Sequence, residues 1–249
     1  GQMIHYPYDL HTHTKLSDGW GDVRGNVRSA EACGMGVVAI TDHYWGDDPT
    51  LVDNLLYQVQ RARQESPIRV LAGLEGYTLD ACGRISVNAD VAERLDLLLV
   101  DFGGRTKGIG CDAPKNKVHA LEAVVSAVAG LSQVPYLDIW AHPLNLGRLD
   151  CPLGLDDLSP SALKEMAAAL AEGGVAFEIM NQFHYWWPAM SVSELTARYI
   201  EIVALFAEEG VRFSMGSDAH RVGGVGNLAW SLRVAVAAGL TDEMMFVPD

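Results

Sequence analysis

His11 and His13 lie two residues apart in the stretch YDLHTHTKLSDG. On an extended strand residues i and i+2 share one face, so both imidazoles can reach a single ion. A bare His-x-His also occurs in loops that bind nothing, so the pair gains meaning from its companions. Asp42 and His43 in ITDHYW, Glu75 in LAGLEGY, His142 in IWAHPLN, and Asp218 and His220 in MGSDAHR each follow a short apolar run, and Asp18 sits in the turn SDG behind the first pair. His11, His13, Asp18, His43, Glu75, His142, Asp218 and His220 thus form a candidate set of five histidines and three carboxylates. Neutral imidazole with carboxylate suits zinc, manganese or iron, whereas calcium asks mainly for oxygen. Eight donors exceed what one ion takes, at about four to six ligands each, so the set points to two ions or more with Glu75 as a bridge.

Groups so far apart in sequence need elements that bring them together. Apolar runs near 7–11, 36–41, 69–74, 96–101, 136–141, 174–180 and 211–216 read as seven strands separated by helix-like stretches. VRGNVRSAEACG ends at Gly34 as a helix should, and SPSALKEMAAALAEGG opens on Ser159-Pro160 and stops at a glycine pair. SVSELTARYIEIVALFAEEG, with Ser193 before Glu194, runs amphipathically to Gly210, and the last helix is expected to begin near Asn227. The segment 75–95 is expected to hold a loop and a short helix. Runs such as LDLLLV and GMGVVAI lack alternation, as parallel strands buried on both faces do. Seven such repeats point to an α/β fold, a distorted seven-stranded (β/α)7 TIM-like barrel, closed or nearly so, in one domain over 1–249. The candidate ligands fall at the carboxyl ends of strands one, two, three, five and seven, the face that gathers active-site loops in parallel barrels.

Lys and Arg number 18 against 32 Asp and Glu, a formal net charge of −14, and no stretch concentrates the basic residues into a stripe. Duplex nucleic acid is therefore not an expected partner. No apolar run reaches the roughly 18 residues of a membrane span and no charged-then-apolar leader opens the chain, so a cytoplasmic address is expected. Cys33, Cys82, Cys111 and Cys151 are scattered singly and are expected to be reduced thiols.

The ordered series His11-x-His13, Asp18-Gly19, Thr41-Asp42-His43, Glu75, Ala141-His142-Pro143 and Gly216-Ser217-Asp218-Ala219-His220 resembles the polymerase and histidinol phosphatase (PHP) family of metal-dependent phosphoesterases, from residue 9 to about 226. The resemblance implies two or three divalent ions of zinc, manganese or iron at the carboxyl end of the barrel. It puts His11, His13, Glu75 and Asp218 on one ion, Asp18, His43 and His220 on another, and His142 with Glu75 on a further one. Glu75, Asp218 and His220 are then catalytic candidates as well. The chain departs from the family at the fourth strand. A histidine often stands there, but LLLVDFGGR offers Gly103, with Asp101 two residues earlier. The ion beside His142 is accordingly absent, weakly held, or completed by Asp101.

The implied activity is hydrolysis of the phosphate ester of a small phosphorylated metabolite by a metal-activated water. Arg105 and Lys107 in GGRTKG, Arg148 and Arg221 are candidate substrate contacts, since arginine grips phosphate bidentately. Phe183, Tyr185, Trp186 and Trp187 crowd one loop that could stack on a base, shape a lid, or pack against helices. His184 in that loop is not expected to be a ligand. A nuclease reading would need basic loops, and a non-catalytic metal-binding regulatory domain is favoured by Gly103 alone. Amidohydrolase barrels also begin with His-x-His, but usually bridge their metals with a lysine on strand four, and LDLLLVDF has none.

Overall fold

Seven strands, β1 (Tyr8–Asp9), β2 (Val37–Ile40), β3 (Arg69–Tyr77), β4 (Leu97–Asp101), β5 (Ile139–Trp140), β6 (Ala176–Met180) and β7 (Phe213–Gly216), pair in chain order and run parallel throughout. The computed structural model describes residues 4–249. The ring closes between β7 and β1 without a regular ladder. Leu10 N reaches Met215 O at 3.4 Å, the Asp218 amide donates to His11 O at 2.9 Å, and the His13 amide donates to Ala219 O at 2.9 Å. The result is the expected distorted seven-stranded barrel.

Helices α1 (Val23–Ala32), α2 (Pro49–Glu65), α3 (Ala89–Ala92), α4 (Lys117–Leu131), α5 (Pro160–Gly173), α6 (Val192–Glu208) and α7 (Ala229–Ala237) connect the strands. Their starts follow local chemistry. Asp22, Asp48, Asn116 and Ser159 each accept a hydrogen bond from a first-turn amide, supplying an acceptor that the helix itself lacks there. The N-cap of α6 is Ser191 rather than Ser193, because Ser191 and Glu194 form a reciprocal capping box. Helix α7 starts two residues beyond Asn227 and has no side-chain cap of its own. Asn181 Oδ1, from the loop after β6, instead accepts from the Trp230 amide at 2.9 Å.

Side-chain alternation along the strands separates two apolar regions. Val38, Ile40, Val70, Leu98, Val100, Phe177 and Ile179 point outward into the shell beneath the helices. Val37, Ala39, Leu71, Leu97, Leu99, Ile139 and Ala176 point inward and are plugged by Leu10 and Phe246. The same inward register then turns acidic toward the carboxyl end, at Glu75 on β3, Asp101 on β4 and Glu178 on β6, all buried. A packed apolar floor thus lies beneath a polar upper layer. All four cysteines are free. No helix among the described residues is long and apolar enough to cross a membrane.

Candidate metal centre

Glu75 is the hub. Its Oε2 lies 3.2 Å from His11 Nε2, 3.3 Å from His13 Nε2 and 2.9 Å from His43 Nδ1, while Oε1 lies 3.0 Å from His142 Nε2. Asp218 Oδ1 adds contacts of 3.4 Å to His11 Nε2 and 3.0 Å to His13 Nε2. Asp18 joins from the first loop, 3.6 Å from His43 Nε2 and 3.2 Å from His220 Nε2. Three groups of donors within mutual reach result: His13, Asp18, His43 and His220; His11, His13 and Asp218; and His11, Glu75 and His142. Between them they contain all eight candidate residues from the sequence.

The barrel positions these side chains by devices outside the donor set. Asp42, buried, accepts hydrogen bonds from the Thr14 and Ser17 amides and hydroxyls at 2.6 to 3.2 Å, which pins the loop leading to Asp18. Glu178 was not singled out in the sequence. Its Oε1 pairs with His11 Nδ1 at 2.8 Å, and its Oε2 accepts the His142 amide at 2.7 Å. A carboxylate on Nδ1 fixes the tautomer that leaves the Nε2 lone pair facing Glu75 and Asp218. The signal was a lone acidic residue inside the apolar run AFEIM, inward-facing by strand alternation. Gly216 makes the approach possible, since a Cβ there would lie 2.2 Å from Glu178 Oε1 and 2.5 Å from His11 Cβ. His142 (φ 29°) and Asp218 (φ 52°) both hold left-handed backbone, which L-residues adopt at a cost of about 1–2 kcal/mol.

Crowding shapes the protonation of the metal-free cluster. Burial opposes charge on His11, but Glu178, Glu75 and Asp218 outweigh it and hold its pKa well above the usual imidazole value. His43 and His142 are likewise pulled down by burial, yet Glu75 helps push each up to about 9. The His220 contact lowers Asp18 to about 2. Burial raises Glu75, and His11 and His43 more than reverse this, leaving it well below the carboxylate range. Asp101 is the exception, pushed up to about 7 by burial and by Glu75.

Such a mesh fits divalent cations. Two bonds of about 2.0–2.2 Å to one ion place their donor atoms about 3–4 Å apart, the range spanned by the contacts above. Glu75 Oε2, Asp101 Oδ1 and the Nδ1 atoms of His13 and His142 are buried without a hydrogen-bond partner. Two ring nitrogens, His11 Nε2 and His13 Nε2, face one another at 3.1 Å. A cation among these atoms would satisfy buried lone pairs that the metal-free cluster leaves unpaired or meets only with imidazole protons.

A cavity of about 370 Å³ opens over the cluster, lined by Asp18, His43, Asp101, His142, Asp218 and His220 and walled by Met180, Gln182, Tyr185 and Trp186. Of the aromatic loop, Tyr185 and Trp186 therefore face the site, whereas Phe183 is fully buried against Tyr199 and Trp230. The four candidate substrate cations are not among the lining residues. Arg105 stacks on Trp45, Arg148 on Tyr185 and Arg221 on Trp20, and Lys107 is exposed. A Cβ at Gly103 would fall 2.1 Å from Tyr77 Oη, so a side chain there requires the Tyr77 ring to shift.

A parallel barrel carrying a His/Asp/Glu cluster at its carboxyl end has the architecture of a metal-dependent enzyme. The PHP domain profile matches residues 9–182, and the chain belongs to that family, as a metal-dependent phosphoesterase. A probable phosphatase of Thermoanaerobacter sp. (strain X514) is 24% identical over 97% of this chain and 90% of its own length. Histidinol phosphate phosphatase from Lactococcus lactis, solved with zinc, L-histidinol and phosphate, superposes with a TM-score of 0.65 at 16% identity over 94% of both chains. A putative histidinol phosphatase from Listeria monocytogenes gives 0.66 at 14% identity, over 90% of this chain and 98% of its own.

Proposed function

We propose that this barrel hydrolyses the phosphate ester of a small phosphorylated metabolite, using two or three divalent ions of zinc, manganese or iron. The observation that carries the reading is the meeting of three donor groups beneath one cavity of about 370 Å³, a size suited to a small molecule. When bound, the ions supply Lewis acidity toward water and toward the phosphoryl oxygens. His11, His13, Glu75 and Asp218 would hold one ion, Asp18, His43 and His220 would hold a second, and Glu178 would keep the His11 Nε2 lone pair directed at its ion. Asp218 borders the cavity, so its carboxylate oxygen not engaged with the ion would take a proton from the attacking water or pass one to the leaving alcohol.

No Lys or Arg is among the residues that line the cavity, so in a chain of net charge −14 the attraction for a phosphate group would come from bound cations. The alcohol portion then lies against Tyr185, Trp186 and Met180. Arg105, Lys107, Arg148 and Arg221 meet only parts of a substrate that extend to the rim. This arrangement favours a small ester over a nucleic-acid strand, which needs a basic track.

Replacing His43 by Ala is expected to lower metal content and aryl phosphate turnover together. The same change at His119, exposed on α4, should alter neither. Equal effects at the two positions would contradict the reading.

A further inference from the structure

Two cavities meet at one residue. The cavity of about 370 Å³ over the donor cluster has Trp186 in its wall. A second cavity of about 290 Å³, between the loops after β5 and β6, is lined by Gly147, Pro152, Leu153, Trp187 and Met190 and by the same Trp186, the residue that the two linings have in common. This second space is apolar, since Lys117, the charged residue in its lining, is bound to Asp157 at 2.6 Å. The two aromatic walls of the first cavity are held differently. Tyr185 is tied down by Arg148, whose guanidinium lies over its ring at 4.4 Å and whose Nε donates to its carbonyl at 2.7 Å. The Trp186 indole packs edge-on against Tyr185 and tilts over His142, each at 5.2 Å between ring centres, and its buried Nε1–H has no hydrogen-bond partner. The backbone beneath it is seated closely, because a Cβ on Gly147 would lie 2.4 Å from Trp186 O. Packing alone therefore places the ring.

We propose that Trp186 is the specificity-determining residue of this site: its indole partitions the cavity over the donor cluster from the apolar cavity behind it, and so confines the substrate to phosphate esters of compact alcohols. The proposal rests on the phosphoesterase reading and adds the residue that sets its substrate range. With the phosphate beside the donor residues, a longer alcohol portion extends toward Tyr185, Trp186 and Met180, and the indole stops it there. Beyond the ring, Pro152, Leu153 and Met190 offer an apolar extension a place away from water. Removing the indole joins the two spaces and shifts preference toward larger apolar esters.

The test compares a small ester with a large one. The full chain and its Trp186→Phe and Trp186→Ala variants, loaded with Mn²⁺, are assayed with phenyl phosphate and biphenyl-4-yl phosphate, and binding of the two matching non-hydrolysable phosphonates is measured by calorimetry. The wild-type chain is expected to prefer the phenyl compounds. Apolar pockets discriminate by about 10- to 200-fold for a difference of one methylene, so Trp186→Ala should raise kcat/KM for the biphenyl ester relative to the phenyl ester at least about tenfold, mainly through KM. The ratio of phosphonate affinities should move the same way, and Trp186→Phe should lie between. A merely structural role lowers both esters in parallel. Ratios unchanged in the variants, or a wild-type chain that already prefers the biphenyl compounds, overturn the proposal and leave the phosphoesterase reading intact. Hydrolysis of neither ester by the loaded wild-type chain contradicts the phosphoesterase reading, and the phosphonate ratio then decides the role of Trp186 separately. If Trp186→Ala does not fold, Trp186→Phe against wild type decides the point.

Discussion

Glu178→Gln probes the support beneath the cluster without changing its size. The carboxylate accepts two hydrogen bonds at once, from His11 Nδ1 at 2.8 Å and from the His142 amide at 2.7 Å. Glutamine has a single acceptor oxygen. The backbone amide cannot change its role, so the Gln oxygen stays with His142 and the –NH₂ faces His11. His11 must then accept at Nδ1 and carry its proton on Nε2, the nitrogen that faces Glu75 and Asp218. A hydrogen bond to a charged group is worth about 1.5–3 kcal/mol. At 1.4 kcal/mol per decade, this weakens the ion bound at His11 by about 10- to 150-fold. Calorimetric titration of the chelator-stripped variant reads that change, and nitrogen NMR of the His11 ring reads the tautomer. Metal affinity within about twofold of wild type, with His11 still protonated on Nδ1, would refute the reasoning.

In the metal-free protein His43 and His142 titrate near 9, above the ordinary imidazole value of 6.5. Their stabilisation is therefore fully present below about pH 6.5 and is lost as pH rises through 9. The Tm of the stripped protein should fall across that window, and metal loading at pH 7 should release protons and tighten as pH rises. A stripped-protein Tm independent of pH, with no proton release, would count against the cluster geometry. Gly216→Ala forces a Cβ against Glu178 and His11, and such overpacking costs about 1–3 kcal/mol. Its Tm should fall by about 2–4 °C per kcal/mol, and an unchanged melt would mean that the close approach is relaxed in solution.

The strands were legible because parallel strands buried on both faces leave uninterrupted apolar runs. Their lengths were less so. Strand β5 reduces to Ile139–Trp140 because the Asp138 carboxylate, at 2.8 Å, takes the Leu98 amide. Strand β1 reduces to Tyr8–Asp9, where Asp9 reaches the Ser217 and Gly226 amides at 2.9 and 2.7 Å. Side chains there replace ladder bonds, which hydrophobic patterning does not register. The ordered motifs gathered the metal-type residues, but Glu178 escaped because AFEIM reads as a run buried on both sides, and alternation alone distinguishes its inward face. The arginines sit in the expected loops, yet their aromatic partners Trp20, Trp45 and Tyr185 come from other loops, so their orientation is a tertiary property. The left-handed backbone at His142 and Asp218 is tertiary in the same way, held by hydrogen bonds to Glu178 and to His11 O.

The central claim is that hydrolysis depends on ions held by this cluster. Its most direct test is aryl phosphate turnover by one preparation, measured as purified, after exhaustive chelation, and after readdition of Mn²⁺ or Zn²⁺, with metal content determined at each stage. Activity should disappear with the metal and return with it. Turnover that survives with less than one ion in ten chains, or a fully loaded protein inert across a broad panel of phosphate esters, would contradict the account.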